Sequence, residues 1–379
     1  MIFKWAGYFA NTKHMRHATD IESWLQLCLI QGVGDESVRR LLVAFGSPEA
    51  VLSAPTTALE RVVRKPIAKH IKNGADPDKV ATALTWLKDT ANSIITLADH
   101  DYPKQLLNIT DPPPLLYFKG KRELLKKSSL AVVGSRNATP QGLSNAEAFA
   151  ESISNAGICI LSGMALGIDT AAHRGGLRGS AASIAVVGTG LDIVYPARNR
   201  PLAHQLAKDG ALISELPLGT PAIGKNFPRR NRIISGMSQG CLVVEAAMRS
   251  GSLITAQQAL EQGREVLAIP GSIHSPLSKG CHALIKQGAK LVESTQDILD
   301  ELNYPAIDQK RQENNIVSSE SADENSWLLK CLGHDVADVD TLCVRSGLTL
   351  ESVSAMLLTL ELDGQIASLP GGCYQRIVK

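Results

Sequence analysis

Between Leu130 and Val292 the chain repeats one pattern: a short run that is apolar at successive positions, closed by Gly, Ser or Pro, then a longer stretch with apolar residues every three or four positions. The runs are LAVVGS, ICILSG, SIAVVGTG, ALISELP, CLVVEA, EVLAIPG and KLVEST. A strand that is apolar on both faces must be covered on both, and helices between such strands supply that cover when the strands run parallel. The pattern predicts an α/β fold with a doubly wound, mostly parallel, extended Rossmann-like sheet. The first intervening helix carries the matching stripe, Leu143, Ala146, Ala150 and Ile153.

The flanks read differently. From Ile21 to about Ala98 the spacing is helical without strand alternation, and LIQGVGDESVRRLL reads as helix, Gly-x-Gly turn and helix, a helix-hairpin-helix or SAM-like unit. Such a hairpin either offers backbone N–H groups to a phosphate or is a tight turn with no ligand. In TDPPPLLYFKG, Thr110 to Gly120, three consecutive prolines exclude helix and predict an extended connector. Residues 303–325 are polar, with a Ser/Glu/Asp cluster, and read as a solvated linker. After them come a helix beginning near Trp327, a short helix, a Gly turn, a second apolar-faced helix and a hairpin centred on Pro370-Gly371-Gly372, the order of a winged helix. Its second helix is unusual for DNA reading. No Lys or Arg lies between Gly347 and Tyr374, whereas Glu351, Glu361 and Asp363 do, which favours a protein contact over a phosphate-lined groove.

The expected division is therefore 1–20, a poorly structured N-terminus; 21–118, the helical domain with its connector; 119–302, the Rossmann-like domain; 303–325, the linker; and 326–379, the winged helix. At 379 residues the chain exceeds what one core usually spans, so a single continuous core is not expected.

Composition adds limits. A formal net charge of +2 means that any affinity for nucleic acid must come from local clustering of cations. No stretch approaches 18 uncharged apolar residues and the N-terminus lacks a sustained apolar run, so no membrane span is expected and the cytoplasm is the expected compartment. The seven cysteines are odd in number, dispersed and mostly set among Leu, Val or Ile, which reads as buried reduced thiols; no C-x-x-C or H-E-x-x-H spacing suggests a metal.

In an open parallel sheet, ligands bind beyond the carboxyl ends of the strands. Small residues cluster there: Gly134-Ser135-Arg136, Ser162-Gly163, Gly188-Thr189-Gly190, Gly251-Ser252 and Pro270-Gly271. They allow close approach to backbone N–H groups at helix starts, which suit an anion. The stretch KNFPRRNRIISG supplies counter-charge through Lys225, Arg229, Arg230 and Arg232, joined by Arg136; Asn231 can donate to a further oxygen, and Phe227 either stacks on a base or packs in the core. At least one of the four cations of this stretch is expected to pair with a core-edge carboxylate instead. There is no G-x-x-x-x-G-K-[ST], and VVGTGLDI has Ile193 where a dinucleotide fingerprint needs its third Gly, so neither a P-loop nor a dinucleotide cofactor is indicated. Asp169 and His173, four apart, read as a helix-start carboxylate and an ordinary histidine before they read as an acid–base pair.

The motifs VVGSR (132–136), LSGMALGIDTAAH (161–173), GTGLDIVYPARN (188–199), NFPRRNRIISG (226–236), VVEAAMRSGSLITAQQALEQGREVLAIPG (243–271) and LIKQGA (284–289) together resemble the DNA-processing protein A (DprA, or Smf) family. The resemblance implies a non-enzymatic single-stranded-DNA-binding protein that protects incoming DNA in natural transformation and helps to load RecA. It also implies a homodimer formed through the sheet domain and no cofactor. It places Arg136, Ser162, Gly163, Lys225, Phe227, Arg229, Arg230, Asn231 and Arg232 in the DNA groove, to which the strand-end turns add Ser135, Gly251 and Ser252. One departure is Leu166, where many relatives carry a cation. The competing enzyme reading, a nucleotide phosphoribohydrolase of the lysine-decarboxylase-like family, would need a glutamate where Gln258 stands.

Overall fold

The computed structural model describes residues 21–304, 324–333 and 336–377. The expected N-terminal segment 1–20 and most of the linker 303–325 lie outside the described residues.

Among the described residues six short helices come first: α1 (Ile21–Cys28), α2 (Asp35–Phe45), α3 (Pro48–Ser53), α4 (Thr56–Leu59), α5 (Lys65–Asn73) and α6 (Pro77–Trp86). Side-chain and proline starts delimit several of them; Ser47 Oγ accepts from the Ala50 amide with Pro48 at the first position of α3, and Asp76 accepts from the Asp78 amide at the start of α6. Gly32 adopts φ +83°, and Gly34 caps α2, so the Gly-x-Gly pair makes the turn. The first turn of α2 then carries Asp35 and Glu36, acids that occupy the amide end a phosphate would need.

The helical reading to Ala98 fails at its end. Residues Asn92–Thr96 form β1, which pairs antiparallel with β2 (Leu115–Gly120), and β2 pairs antiparallel with β6 (Ala211–Ser214). NSIIT has no alternation because Ile94 and Ile95 are both buried, so period two was invisible. The extended connector becomes a sheet strand over its second half, and the sheet begins well before residue 119.

All seven apolar runs are strands. β3 (Ser129–Val133), α7 (Pro140–Asn155), β4 (Cys159–Ser162), α8 (Ile168–Arg178), β5 (Ser183–Val186), α9 (Arg200–Asp209) and β6 form one half of the sheet. The other half follows as α10 (Asn226–Met237), β7 (Gly240–Val243), α11 (Gly251–Glu261), β8 (Glu265–Ala268), α12 (Lys279–Lys286), β9 (Lys290–Leu291) and α13 (Thr295–Glu301). The order in space is β1-β2-β6-β5-β4-β3-β7-β8-β9, parallel from β6 to β9. The chain leaves β3 toward β4 and later returns to β7 on its other side, so a switch point lies between these strands, where an open α/β sheet forms its crevice.

Alternate residues of β3 face opposite cores. Leu130 and Val132 join Ala146, Ala150 and Ile153 of α7, whereas Ala131 and Val133 join a cluster that runs without a break into Trp24, Leu25 and Leu41 of the helical unit. The helical unit and one sheet face thus share a core, contrary to the expectation from length. Any chain that covers that face with a second unit removes the boundary. The winged helix has its own core around Leu342, Val353, Leu357 and Leu360. It comprises α14 (Glu324–Leu332), β10 (Ala337–Asp338), α15 (Val339–Ser346), α16 (Leu350–Leu362), β11 (Ile366–Leu369) and β12 (Cys373–Arg376). All seven cysteines are free thiols, with Cys159, Cys241 and Cys281 buried.

Candidate nucleic-acid interface

A groove of about 810 Å³ opens at the switch point. One wall is the turn after β3, Gly134 to Asn137; the other is the segment from Ala247 into the start of α11, with Ser250, Gly251 and Ser252; α10 crosses between them with Phe227, Pro228, Arg230, Asn231 and Ile234. The Ser250 side chain accepts from the Ser252 amide and fixes the start of α11. Close approach explains the glycines here: a Cβ on Gly134 would meet Ile168 and the Glu245 carbonyl, and one on Gly167, at φ +78°, would meet the backbone of Ser135 and Arg136. Arg136 and Arg249 are exposed, line the groove and have no acid within ion-pair reach among the described residues.

Three arginines of FPRRNR divide by helical geometry. Arg230 turns inward. Its guanidinium is buried, donates to the carbonyls of Gly163 (2.7 Å) and Val186, and lines the groove floor. Burial pushes it down to about 10; Asp169 opposes that shift and Arg136 adds to it. Burial likewise raises the Asp169 carboxyl, which Arg230 and the amides of Ala165 (3.2 Å) and Gly163 (3.1 Å) pull back. Asp169 is thus the tie of the loop after β4 and the counter-charge of a buried cation.

Arg229 and Arg232 turn the other way. Arg229 Nη2 lies 2.7 Å from Asp35 Oδ2 and 3.2 Å from Glu215 Oε2. Arg232 Nη2 lies 2.6 Å from Glu215, 3.4 Å from Asp111 and 3.7 Å from Asp35. Arg39 of α2 pairs with Asp111 and donates to the Pro112 carbonyl at 2.7 Å. Neither Arg229 nor Arg232 lines the groove. Their closeness in sequence is therefore stabilised by three carboxylates from the helical unit, the connector and the end of β6. At least one carboxylate-bound cation of this stretch is expected from the sequence and the structure has two, Arg229 and Arg232; which ones was not legible, because Asp35 lies 194 positions from Arg229 and no spacing rule links them.

Other expected site residues also move. Ser162 is fully buried and its hydroxyl donates to Val132 O at 2.7 Å. Gly163 is covered by Arg230, which a Cβ would strike. Lys225 is exposed one residue beyond groove-lining Gly224, at the N-cap of α10, and does not line the groove. Ser135, Arg136, Phe227, Arg230, Asn231, Gly251 and Ser252 do. Phe227 packs against Gly188, with its ring 5.5 Å from that of exposed Tyr195, so it combines a packing role with a face on the groove. The sequence reading missed Arg249 and Tyr195. Arg249 could have been found, since it immediately precedes Ser250-Gly251-Ser252 after the run CLVVEA.

His173 carries no chemistry here. It is buried, and Ser183 Oγ, which donates to the Ile160 carbonyl, accepts the proton of His173 Nδ1 at 2.7 Å. Burial, helped by the charge of Arg230, depresses it to about 3, so it is neutral. Gln258 does not line the groove, and Asp169 is the sole carboxylate among its described lining residues.

The protein is thus of the α/β class, a doubly wound sheet whose switch-point groove combines unpaired guanidiniums, bare turns and a helix start, a chemistry suited to an anion. Residues 93–303 match the family model of DNA recombination-mediator protein A, and residues 317–372 match the DprA winged helix domain. The chain is 41% identical over 370 residues to protein Smf of Escherichia coli K12, an alignment that covers 94% of this chain and 96% of that one. It is 48% identical over 209 residues to the DNA processing protein DprA of Streptococcus pneumoniae R6, over 55% and 74% of the two chains. The solved structure of DprA from S. pneumoniae superposes with a TM-score of 0.65 at 38% identity, over 73% of this chain and 95% of that one. A Helicobacter pylori DprA structure described for its single-stranded DNA binding mode gives 0.52 at 27% identity, over 56% and 97%. The chain belongs to the DprA/Smf family of DNA recombination-mediator protein A.

Proposed function

We propose that this protein binds single-stranded DNA by its backbone in the switch-point groove, and acts by holding the strand rather than by transforming it. The observation that carries this is the pair Arg136 and Arg249, exposed on opposite groove walls and free of carboxylate partners, over a floor that contains buried Arg230. The groove spans turns from two strand ends and one helix, a wider footprint than one nucleotide phosphate needs. Phe227 and Tyr195 at its side offer ring faces to unstacked bases. Chemistry on the strand has little support: Asp169 is committed to two amides and Arg230, and His173 is sealed in the core.

The family resemblance extends the reading to delivery of the bound strand to RecA and to a homodimer through the sheet domain. Neutralising roughly three phosphates, by Arg136, Arg249 and nearby Lys225, should lower affinity for oligothymidylate about 20-fold between about 50 and 200 mM salt. A flat salt response would remove the proposal. Release of free base from nucleoside monophosphates would instead favour the phosphoribohydrolase.

A further inference from the structure

A concentration of positive charge lies away from the groove, on the helical unit. Arg61, Arg64, Lys65, Lys69 and Lys72 fall within twelve residues that contain no acid, and Arg40 joins them by donating to the Val62 carbonyl at 2.6 Å. These six charges exceed the net charge of the whole chain. All six residues are exposed, and none of them makes an ion pair among the described residues.

Their arrangement works against the stability of the isolated protein. Lys65, Lys69 and Lys72 stand at i, i+4 and i+7 on α5, where like charges repel. Arg64 caps that helix and Lys65 is its first residue, so two cations sit at the end where the helix dipole favours anions. The opposite face of α5 buries Ala68 and Ile71, which leaves only Pro66 and half-buried Ile67 as apolar surface, too little to insert into a bilayer. Cations held on a rigid helix, clustered toward the end where its dipole is positive, fit a ligand that is a row of fixed negative charges.

The stripe is also fixed relative to the groove. His70 of α5 meets the Gln31 carbonyl at 2.7 Å, the turn from Gln31 leads directly to Asp35, and Asp35 holds Arg229 of α10 at 2.7 Å. The other face of α10 lines the groove. We infer that the cationic stripe of α5 is a second contact for a phosphodiester backbone, engaging nucleic acid that extends beyond the groove. This rests on the groove reading above, and the two can fail separately.

The test is fluorescence anisotropy with the full chain and Arg64→Glu/Lys65→Glu/Lys69→Glu, which leaves the Lys72 contact to the Leu52 carbonyl intact. The probes are oligothymidylates of about 10 and about 40 nucleotides, the shorter one being the size of a single groove site, and a duplex of about 40 base pairs. Thermal melting checks the fold, and glutamate at the start of α5 should not lower it. The expected result is unchanged binding of the short oligonucleotide, with at least about a 10-fold loss on the long strand and a salt slope smaller by roughly 2. Loss on the duplex alone would also support the backbone contact and assign it to paired nucleic acid. Unchanged affinity for both long probes overturns it, as does an equal loss on short and long strands. Binding of the short probe to the wild type, and its weakening by Arg136→Ala, report on the groove independently.

Discussion

Arg232 Nη2 lies 2.6 Å from Glu215 Oε2, with the carboxylate 4% and the guanidinium 11% exposed. This contact joins the groove helix to the end of β6, and Asp35 and Asp111 extend it to the helical unit and the connector. An arginine that the sequence places among the phosphate contacts thus stabilises the joint behind the groove.

Removing either partner should destabilise the fold. Arg232→Ala leaves Glu215 with only the half-exposed Arg229, and Glu215→Ala leaves Arg232 with only the longer contacts to Asp111 and Asp35. The expected loss in urea unfolding is therefore about 1–3 kcal/mol, below the roughly 3–5 kcal/mol of a fully unpaired buried charge. Asp35→Asn, at a more exposed position, should cost under about 1 kcal/mol. The salt slope of DNA binding should be the same in any of these variants that remain folded; a smaller slope in Arg232→Ala would put that side chain on the strand after all.

Arg136→Ala and Arg249→Ala should behave in the opposite way. Each removes an exposed cation without a carboxylate partner, so the unfolding midpoint should hold. Affinity for single strands of any sequence should drop, and the salt slope should shrink by about 0.7 per lost phosphate contact. Normal affinity in Arg249→Ala would take the second groove wall out of the interface.

Gly163 shows why the floor cannot carry a side chain. An added Cβ would meet the guanidinium of Arg230, which is enclosed and already bonded to two carbonyls. Gly163→Ala should therefore destabilise by about 1–3 kcal/mol, as overpacking does, and weaken DNA binding as well. Equilibrium unfolding and anisotropy on the same preparation would show whether the two losses occur together.

His173 makes stability depend on pH. In the unfolded chain it takes up a proton below about 6.5, whereas in the fold it stays neutral down to about 3. Its contribution is fully present above the unfolded value and is lost as pH falls through the window between the two, at about 1.4 kcal/mol per pH unit once the unfolded histidine is protonated. His173→Asn, which can still donate to Ser183, should flatten that part of the profile. Urea titrations at about pH 7.5 and about pH 5 compare the slopes directly.

Local pattern along the chain determined much of this protein. A run apolar at each position has only one place to go, the middle of a covered parallel sheet, and so seven strands, their succession along the chain and the rim where ligands bind were all legible from it. The winged helix was legible for a related reason, since a turn glycine such as Gly347 at φ +73° and the pair Gly371-Gly372 mark backbone that other residues seldom adopt. Tertiary structure alone decided where each cation points. Arg229, Arg230 and Arg232 are neighbours in sequence, but a helix turns by about 100° per residue, so one faces the groove floor and two face a set of acids gathered from distant segments. Charge pairing depends on distance in space, and neither Asp35 nor Glu215 announces in the sequence which arginine it will meet.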